Sequence, residues 1–221
     1  MKLLIFDLDG TLLHTLPDLA SACNAARKKM SLPALADNDY LPMIGRGVLN
    51  LVTTMLPEQM RNDETIQQAY EYFCTYYEQH LYTFTQPYPC ISETLTRLRQ
   101  EGYLLALASN KYQEAAQQLV DHFFPNIFHF VYGKREGLAA KPDPMVVRHC
   151  IIQALKAYRH IDQVALFGDS YIDIQTAHNA NITAVGCTWG YGEESKLLAA
   201  KPHHILHSPQ QINGSEKLRR K

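Results

Sequence analysis

The sequence predicts an α/β fold: a mostly parallel sheet core whose first two strands are separated by an inserted all-helical domain. Short apolar runs with the length of buried parallel strands alternate with helical patterns, as in chains that build parallel sheets. The stretch from about residue 15 to residue 84 breaks this alternation and contains helical patterns only. The chain has 221 residues, which is enough for one core domain carrying a smaller inserted one.

Five apolar runs are the predicted strands of the core. They are Leu3–Phe6, Leu104–Ala108, Phe128–Val131, Val164–Phe167 and Thr183–Val185. The helical patterns between and after them cover Ile91–Gln100, Gln113–Val120, Pro144–Leu155 and Ile172–Asn179. The inserted segment contains three further helical patterns, at Leu16–Met30, Pro42–Leu56 and Glu64–Tyr82.

The proline-rich segment Gln86-Pro87-Tyr88-Pro89 predicts the hinge at which the chain returns to the core. We therefore assign residues 1–14 and 85–212 to the core and residues 15–84 to the helical insertion. Residues 213–221 are polar and basic, and we expect them to form a flexible tail. The histidines near this end (His203, His204 and His207) fit no strong metal-ligand spacing, so we expect surface histidines flanking a last short strand.

Composition excludes some classes of function. With 21 basic and 22 acidic residues the formal net charge is −1, so no global field favours nucleic acid or an anionic membrane. No stretch approaches the apolar length of a membrane span. The five cysteines are scattered without a C-x-x-C pair, which predicts free thiols in a reducing compartment. We expect a cytoplasmic protein, monomeric or homodimeric, that acts on a small molecule.

The first motif whose side chains could take part in catalysis follows the first predicted strand. It lies in Leu4-Ile5-Phe6-Asp7-Leu8-Asp9-Gly10-Thr11. Two carboxylates stand two residues apart, and Gly10 lets the backbone turn and approach a ligand. A calcium loop is disfavoured because its later oxygen ligands are missing. Taken alone, the motif is also compatible with a simple turn.

Two further motifs follow later strands. Ser109 ends the second predicted strand, where its hydroxyl and nearby backbone N–H groups could bind an oxyanion. In Lys141-Pro142-Asp143-Pro144, Asp143 is the expected N-cap and Pro144 the first helical residue, which leaves Lys141 outside the helix and able to reach a site. Taken alone, a loop serine and a solvated lysine are the better interpretations.

The fourth motif lies in Val164-Ala165-Leu166-Phe167-Gly168-Asp169-Ser170-Tyr171-Ile172-Asp173. Asp169 ends a strand, whereas Asp173 in the first turn of the next helix could simply stabilise the helix dipole. Ligands of open parallel sheets bind beyond the carboxyl ends of the strands, so the four motifs are expected to converge. Four carboxylates at one edge repel one another unless a cation or proton intervenes, and Mg²⁺ suits such oxygen ligands.

In this order the motifs resemble those of the haloacid dehalogenase superfamily. The resemblance rests on Phe6-Asp7-Leu8-Asp9-Gly10-Thr11-Leu12, Ser109, Lys141 and Gly168-Asp169-Ser170-x-x-Asp173. The insertion resembles the small helical cap of the phosphoglycolate phosphatase-like branch, as do Leu16-Pro17-Asp18-Leu19 and Ile44-Gly45-Arg46-Gly47. Two departures lie outside the motifs: His14 stands where relatives often carry Asp, and Cys90 where they often have Gly.

The resemblance implies a Rossmann-like core and a Mg²⁺-dependent phosphatase acting on a small phosphorylated metabolite. Asp7 is the implied nucleophile, and Asp9 the acid that protonates the leaving oxygen and later deprotonates water. Mg²⁺ would be bound by the Asp7 carboxylate, the Asp9 backbone carbonyl and Asp169, with Asp173 as a direct or water-mediated ligand. Ser109 and Lys141 would hold the phosphoryl oxygens, and further substrate contacts would come from Gly10, Thr11, Asn110, the backbone N–H of Leu8 and, in the cap, Arg46.

Other functions stay open at this point. A phosphomutase would return the phosphoryl group to a sugar, and a close relative could hydrolyse inorganic pyrophosphate. A dehalogenase would not need Asp9, and a phosphonatase would need a cap lysine such as Lys28 or Lys29. A non-catalytic phosphate-binding module would be expected to have lost some of the carboxylates that this chain retains.

Overall fold

The computed structural model describes residues 1–213 and divides them into two compact units. One unit, the core, contains Met1–His14 and the described residues from Pro87 onward. The other, the helical unit, is Thr15–Gln86. The tail expected at residues 213–221 lies, from residue 214 on, outside the described residues.

The described part of the chain contains eight strands and eight α-helices. The strands are β1 (Lys2–Phe6), β2 (Leu13–His14), β3 (Gln86–Pro87), β4 (Leu104–Tyr112), β5 (Phe130–Lys134), β6 (Gln163–Gly168), β7 (Thr183–Cys187) and β8 (His204–Leu206). The α-helices are α1 (Leu16–Lys29), α2 (Val48–Met55), α3 (Asp63–Gln79), α4 (Ile91–Gln100), α5 (Gln113–Phe123), α6 (Met145–Tyr158), α7 (Tyr171–Asn179) and α8 (Glu194–Ala199).

A six-stranded parallel sheet in the order β5-β4-β1-β6-β7-β8 forms the centre of the core. The first strand, β1, is central: Leu3 pairs with Leu104 of β4 on one side and with Val164 of β6 on the other. Residues 3–6 are fully buried, which explains why β1 is an unbroken apolar run rather than an alternating one. The predicted parallel α/β fold is confirmed.

Apolar side chains of α6 and α7 pack in one buried cluster with the central strands. Val147, Cys150 and Ala154 of α6 belong to this cluster, together with Leu3 and Ile5 of β1. Burial of such side chains contributes about 1.5–3 kcal/mol each for the larger aliphatic ones. This packing holds the strand ends in fixed positions, and the polar motifs lie at or just beyond those ends.

Two predicted boundaries in the core are wrong in ways that matter for function. Strand β4 does not end at Ala108 but continues to Tyr112, with an irregular register against β5 between these two residues. Helix α6 begins at Met145 with Pro144 as its N-cap residue, one position later than expected. The Asp143 side chain still binds the first turn, because its Oδ1 accepts from the Met145 N–H at 2.9 Å.

The helical unit contains α1, α2, α3 and two 3₁₀ helices, Asp37–Met43 and Glu58–Met60. The predicted continuous helix over Pro42–Leu56 is wrong. Gly45 and Gly47 adopt positive φ angles of 95° and 87°, which end the 3₁₀ helix and place the start of α2 at Val48. Helix α3 likewise ends at Gln79 instead of Tyr82.

Several smaller predictions concern the thiols, the histidines and the membrane. All five cysteines are free, as expected. The last short strand is confirmed as β8, with His204 inside it and His203 and His207 on either side. Among residues 1–213, the structure contains no helix with both the length and the apolar character needed to cross a membrane.

A buried carboxylate joins the two ends of the helical unit. Asp18, on the first turn of α1, is only 1% exposed. Its oxygens accept from the backbone N–H of Phe84 at 3.1 Å, the N–H of Thr85 at 2.8 Å and the Thr85 hydroxyl at 2.8 Å. Residues far apart in sequence are thereby tied together by one side chain.

We expect Asp18→Ala to lower the free energy of unfolding by about 3 kcal/mol, because buried N–H groups lose their acceptor. Chemical denaturation followed by circular dichroism would measure the change. Asp37→Ala, at an exposed aspartate of the same unit, is the control and should cost less than about 0.5 kcal/mol. Equal stability of the two variants would show that the Asp18 contacts do not hold the unit together.

Candidate active site

Apart from Arg46, the site residues predicted from sequence lie at the carboxyl edge of the sheet. Asp7 follows β1 and Asp169 follows β6, and these two strands are neighbours. The Asp7 N–H donates to the Phe167 carbonyl at 2.9 Å, so the pairing of β1 with β6 extends to the first aspartate. Parallel pairing thus brings acids from the two ends of the chain to one place.

Three buried carboxylates form a cluster at this edge. Asp7, Asp169 and Asp173 each offer an oxygen that lies within 4.8 Å of the others. The three residues are 7%, 3% and 1% exposed. Carboxylate oxygens at this spacing and burial are suitable ligands for a hard divalent cation such as Mg²⁺, so the residues present fit the expected metal.

Lys141 provides a positive charge inside the cluster. Its Nζ lies 2.7 Å from Asp7 Oδ1 and donates to Asp173 Oδ1 at 2.7 Å and to the Ala108 carbonyl at 3.0 Å. The contact between Lys141 Nζ and Asp7 Oδ1 is close enough for an ion pair, but its angles are not those of a hydrogen bond. Asp7 Oδ1 therefore makes no hydrogen bond to the described residues. Lys141 is therefore an ion-pair partner of two acids in this structure.

Asn110 fixes the position of Lys141. The Lys141 N–H donates to Asn110 Oδ1 at 2.7 Å, and Asn110 Nδ2 donates to the Lys141 carbonyl at 3.1 Å. This double contact imitates the pairing of two strands and binds the loop before α6 to β4. Both residues are buried, so the lysine is held without competition from water.

Burial is the main influence on the pKa values of Asp7 and Asp169. It raises the pKa of Asp7 to about 7, against the lowering effect of Lys141 and with further increases from Asp173 and Asp169. Burial and then Asp173 raise the pKa of Asp169 to about 6. Burial alone would lower the pKa of Lys141, but Asp173 and Asp7 outweigh it and raise that pKa. Asp7 and Asp169 therefore ionise less readily than ordinary aspartates unless further positive charge is nearby.

Asp169 is held by donors on both of its oxygens. The Thr11 hydroxyl donates to Oδ1 at 2.8 Å and accepts from the Asp169 N–H at 3.1 Å. The backbone N–H groups of Tyr191 and Gly192 donate to Oδ2 at 2.7 and 3.0 Å. Thr11, predicted as a substrate contact, thus holds a carboxylate of the cluster.

The segment Trp189–Gly192 is a part of the site that the sequence analysis missed. Trp189 Nε1 donates to the Thr11 carbonyl at 2.9 Å, and the Tyr191 hydroxyl lies 3.1 Å from His14 Nδ1. A Cβ atom at Gly190 would collide with the Gly10 carbonyl, so only glycine fits there. The available signal was a pair of glycines shortly after the strand next to β6, at the edge where the other motifs meet.

Asp173 combines a local and a tertiary role. It is the third residue of α7, where its Oδ2 accepts from the Ser170 N–H at 3.1 Å and the Ser170 hydroxyl at 2.6 Å, as in a capping box. Its Oδ1 binds Lys141. A Cβ atom at Gly168 would collide with the Asp173 side chain, so the glycine before Asp169 allows this close approach.

Asp9 lies outside the three-carboxylate cluster and contacts a lysine that the sequence analysis did not single out. Lys111 Nζ donates to Asp9 Oδ1 at 3.0 Å and to Oδ2 at 3.2 Å. The two side chains are 4% and 14% exposed, respectively. Lys111 is placed here because β4 continues beyond Ala108, which the apolar pattern did not predict.

The remaining predicted residues are placed as follows. Ser109 is buried within β4, and its Oγ accepts from the Lys111 N–H at 3.3 Å. Gly10 has a φ angle of 84°, a conformation that favours glycine, and a Cβ atom there would lie 2.5 Å from Asp169 Oδ2. Arg46 is exposed and belongs to the helical unit, so its contact with substrate stays a prediction.

A parallel α/β sheet with buried carboxylates and lysines at its carboxyl edge has its polar residues where ligands of open α/β sheets bind. The sequence profile of haloacid dehalogenase-like hydrolases matches residues 4–187. The chain belongs to this family, as its motifs predict.

Relatives and solved structures agree with this assignment. The phosphoglycolate phosphatase of Mannheimia succiniciproducens is 35% identical over 212 residues, 93% of each chain. That of Pasteurella multocida is 34% identical over 218 residues, 96% of each chain. The crystal structure of a predicted phosphoglycolate phosphatase from Haemophilus somnus superimposes with a TM-score of 0.85 at 30% identity, covering 96% of both chains. The predicted family and branch are confirmed.

The raised carboxyl pKa values predict how a cation stabilises the protein. Between about pH 4 and pH 7 the folded protein keeps protons on Asp7 and Asp169 that the unfolded chain loses, so their contribution lowers the free energy of unfolding as pH rises. A divalent cation competes with these protons. We therefore expect Mg²⁺ to raise the Tm more at about pH 7.5 than at about pH 5.5.

Thermal unfolding with and without Mg²⁺ at both pH values would measure this difference. Asp7→Asn should reduce it, because one of the two ionising groups is gone. Asp121→Asn, at an exposed aspartate of α5, should leave it unchanged. A Mg²⁺-dependent rise in Tm that is the same at both pH values would contradict the expectation.

Proposed function

We propose that the chain is a Mg²⁺-dependent phosphatase that hydrolyses a small monoester such as phosphoglycolate through an aspartyl-phosphate on Asp7. The observation that carries the proposal is the buried cluster of Asp7, Asp169 and Asp173 around Lys141. Hydrolysis of a phosphoric monoester is supported by the family and by relatives that are named phosphoglycolate phosphatase. The free cysteines are consistent with action in the cytoplasm.

The position of Asp7 supports its role as nucleophile. It follows the central strand, and the bond from its N–H to the Phe167 carbonyl fixes its backbone at the edge where the cluster lies. Lys141 beside Oδ1 favours the ionised form against the effect of burial. Attack of an Asp7 oxygen on phosphorus forms the acyl phosphate as the ester P–O bond breaks.

The acid of the first step becomes the base of the second. Asp9 gives its proton to the leaving oxygen and is left as a carboxylate. It then takes a proton from the water that attacks the acyl phosphate, which releases inorganic phosphate and restores Asp7. Asp9 suits this part because its side chain lies outside the three-carboxylate cluster.

Other residues would bind the cation and the phosphoryl group. Mg²⁺, held by Asp7, Asp169 and the Asp9 carbonyl with Asp173 as a direct or water-mediated ligand, would neutralise negative charge on the transferring phosphoryl group. Ser109 and Lys141 would bind phosphoryl oxygens, assisted by the backbone around Gly10 and Asn110 and the Leu8 N–H. Arg46 is proposed as a contact of the helical unit with the substrate anion.

We expect Asp7→Asn to reduce turnover of phosphate monoesters by at least about 10³-fold, because an amide cannot serve as the nucleophile. Release of phosphate from p-nitrophenyl phosphate with Mg²⁺ would measure this, and a thermal melt would show whether the fold is retained. Asp121→Asn is the matched control, and EDTA should abolish the activity of both the wild type and the control. Wild-type turnover by Asp7→Asn would refute the assignment of the nucleophile.

Ranking small phosphate esters by kcat/KM with Mg²⁺ would test the substrate class. We expect phosphoglycolate to exceed hexose phosphates and nucleoside monophosphates by about 10-fold or more, as for a site that discriminates by a few contacts. Free phosphate should be the product. An isomerised sugar phosphate would instead indicate a phosphomutase, and preference for pyrophosphate would indicate an inorganic pyrophosphatase.

A further inference from the structure

We propose that Lys111 is a positioning residue that orients the Asp9 carboxyl group for proton transfer to the leaving group. This inference rests on the proposed function, since it gives Asp9 the role of acid and base. It concerns a lysine to which the sequence analysis gave no role. Its basis is the contact of Lys111 Nζ with Asp9 Oδ1 at 3.0 Å and with Oδ2 at 3.2 Å.

The surroundings make this contact stronger than a surface ion pair. The Lys111 side chain is 4% exposed and that of Asp9 14%. Exposed pairs gain little because water screens them and both side chains lose freedom. At a mostly buried site screening is weaker, and a lysine left without its partner would be costly. The contact therefore constrains where the Asp9 oxygens lie.

Hydrogen bonds and strand pairing fix the backbone around Lys111. Lys111 lies in β4, and its N–H donates to Ser109 Oγ. The preceding residue, Asn110, holds the loop of Lys141, and the following residue, Tyr112, is in register with Lys134 of β5. One segment of β4 thus positions two ammonium groups, that of Lys111 directly and that of Lys141 through Asn110. The two groups contact different acids.

The two lysines divide the acids of the site between them. Lys141 contacts Asp7 and Asp173, which belong to the cluster proposed to bind the cation. Lys111 contacts Asp9, which is proposed to transfer protons. When Asp9 carries a proton on one oxygen, Lys111 can keep its hydrogen bond to the other oxygen. The carboxyl group then stays oriented while its proton passes to the leaving oxygen.

Dependence on the leaving group separates this role from a general structural one. An alkyl alkoxide, as released from phosphoglycolate, needs a proton as the P–O bond breaks, whereas 2,4-dinitrophenolate leaves without one. The ratio kcat/KM reports the steps up to phosphoryl transfer to Asp7. It therefore excludes the hydrolysis step, which is the same for every substrate.

We expect Lys111→Met to lower kcat/KM for phosphoglycolate by about 100-fold, at the lower end of what general acid catalysis contributes. For 2,4-dinitrophenyl phosphate the loss should stay below about 5-fold, because no proton is required. Lys196→Met, the same change at an exposed ion-paired lysine of the core, should alter neither value. A comparable loss with both esters, or no loss with either, would overturn the proposal.

Two more variants keep the outcome decisive. Lys111→Arg retains the charge but changes the donor geometry. Its kcat/KM should fall about 10-fold for phosphoglycolate and change little for the aryl ester. This variant tests the proposal even if Lys111→Met does not fold. Asp9→Asn should show the same dependence on leaving group. If it does and neither Lys111 variant does, only the role of Lys111 is wrong; if the wild type hydrolyses neither ester, the proposed function is wrong.

Discussion

The buried ion pairs of Lys141 are the constraint on which the rest of the site depends. Three carboxylates within 4.8 Å of one another would repel strongly in a region with little water. One ammonium group at 2.7 Å from two of them offsets part of that charge. Its position depends in turn on the Asn110 contacts with the loop before α6, so the packing of the sheet and the electrostatics of the site are linked.

Much of the fold and half of the site follow from local sequence patterns. The apolar runs at Leu3–Phe6 and Val164–Phe167 lie within observed strands, since a strand buried on both faces must be apolar throughout. Because parallel strands share one carboxyl edge, the acids that follow these runs could be expected to meet. Asp173 could be predicted for a similar reason, because the helix that carries it starts directly after such a strand.

The rest depends on tertiary contacts that no local pattern encodes. Strand β4 continues through the polar residues Ser109, Asn110 and Lys111. Asn110 and Lys111 find partners in other parts of the core, and Ser109 accepts from the Lys111 N–H. The donors of Tyr191 and Gly192 are backbone N–H groups, so the two glycines of this segment were its only mark in the sequence. In the helical unit, helical propensity on either side of Gly45 concealed the break that its positive φ imposes.

The central position of β1 also bears on how the molecule reaches this state. Its partners in the sheet, beginning at Leu104 and Gln163, are made long after it during synthesis. Closing such long loops is slow, so the apolar surface of β1 stays unpaired until the neighbouring strands have formed. In contrast, α1 and α3 pack together within a short stretch of chain and can associate early. An arrangement that assembles an acidic centre from distant segments thus leaves the apolar surface of β1 exposed, as in other incompletely folded chains, until its neighbours are made.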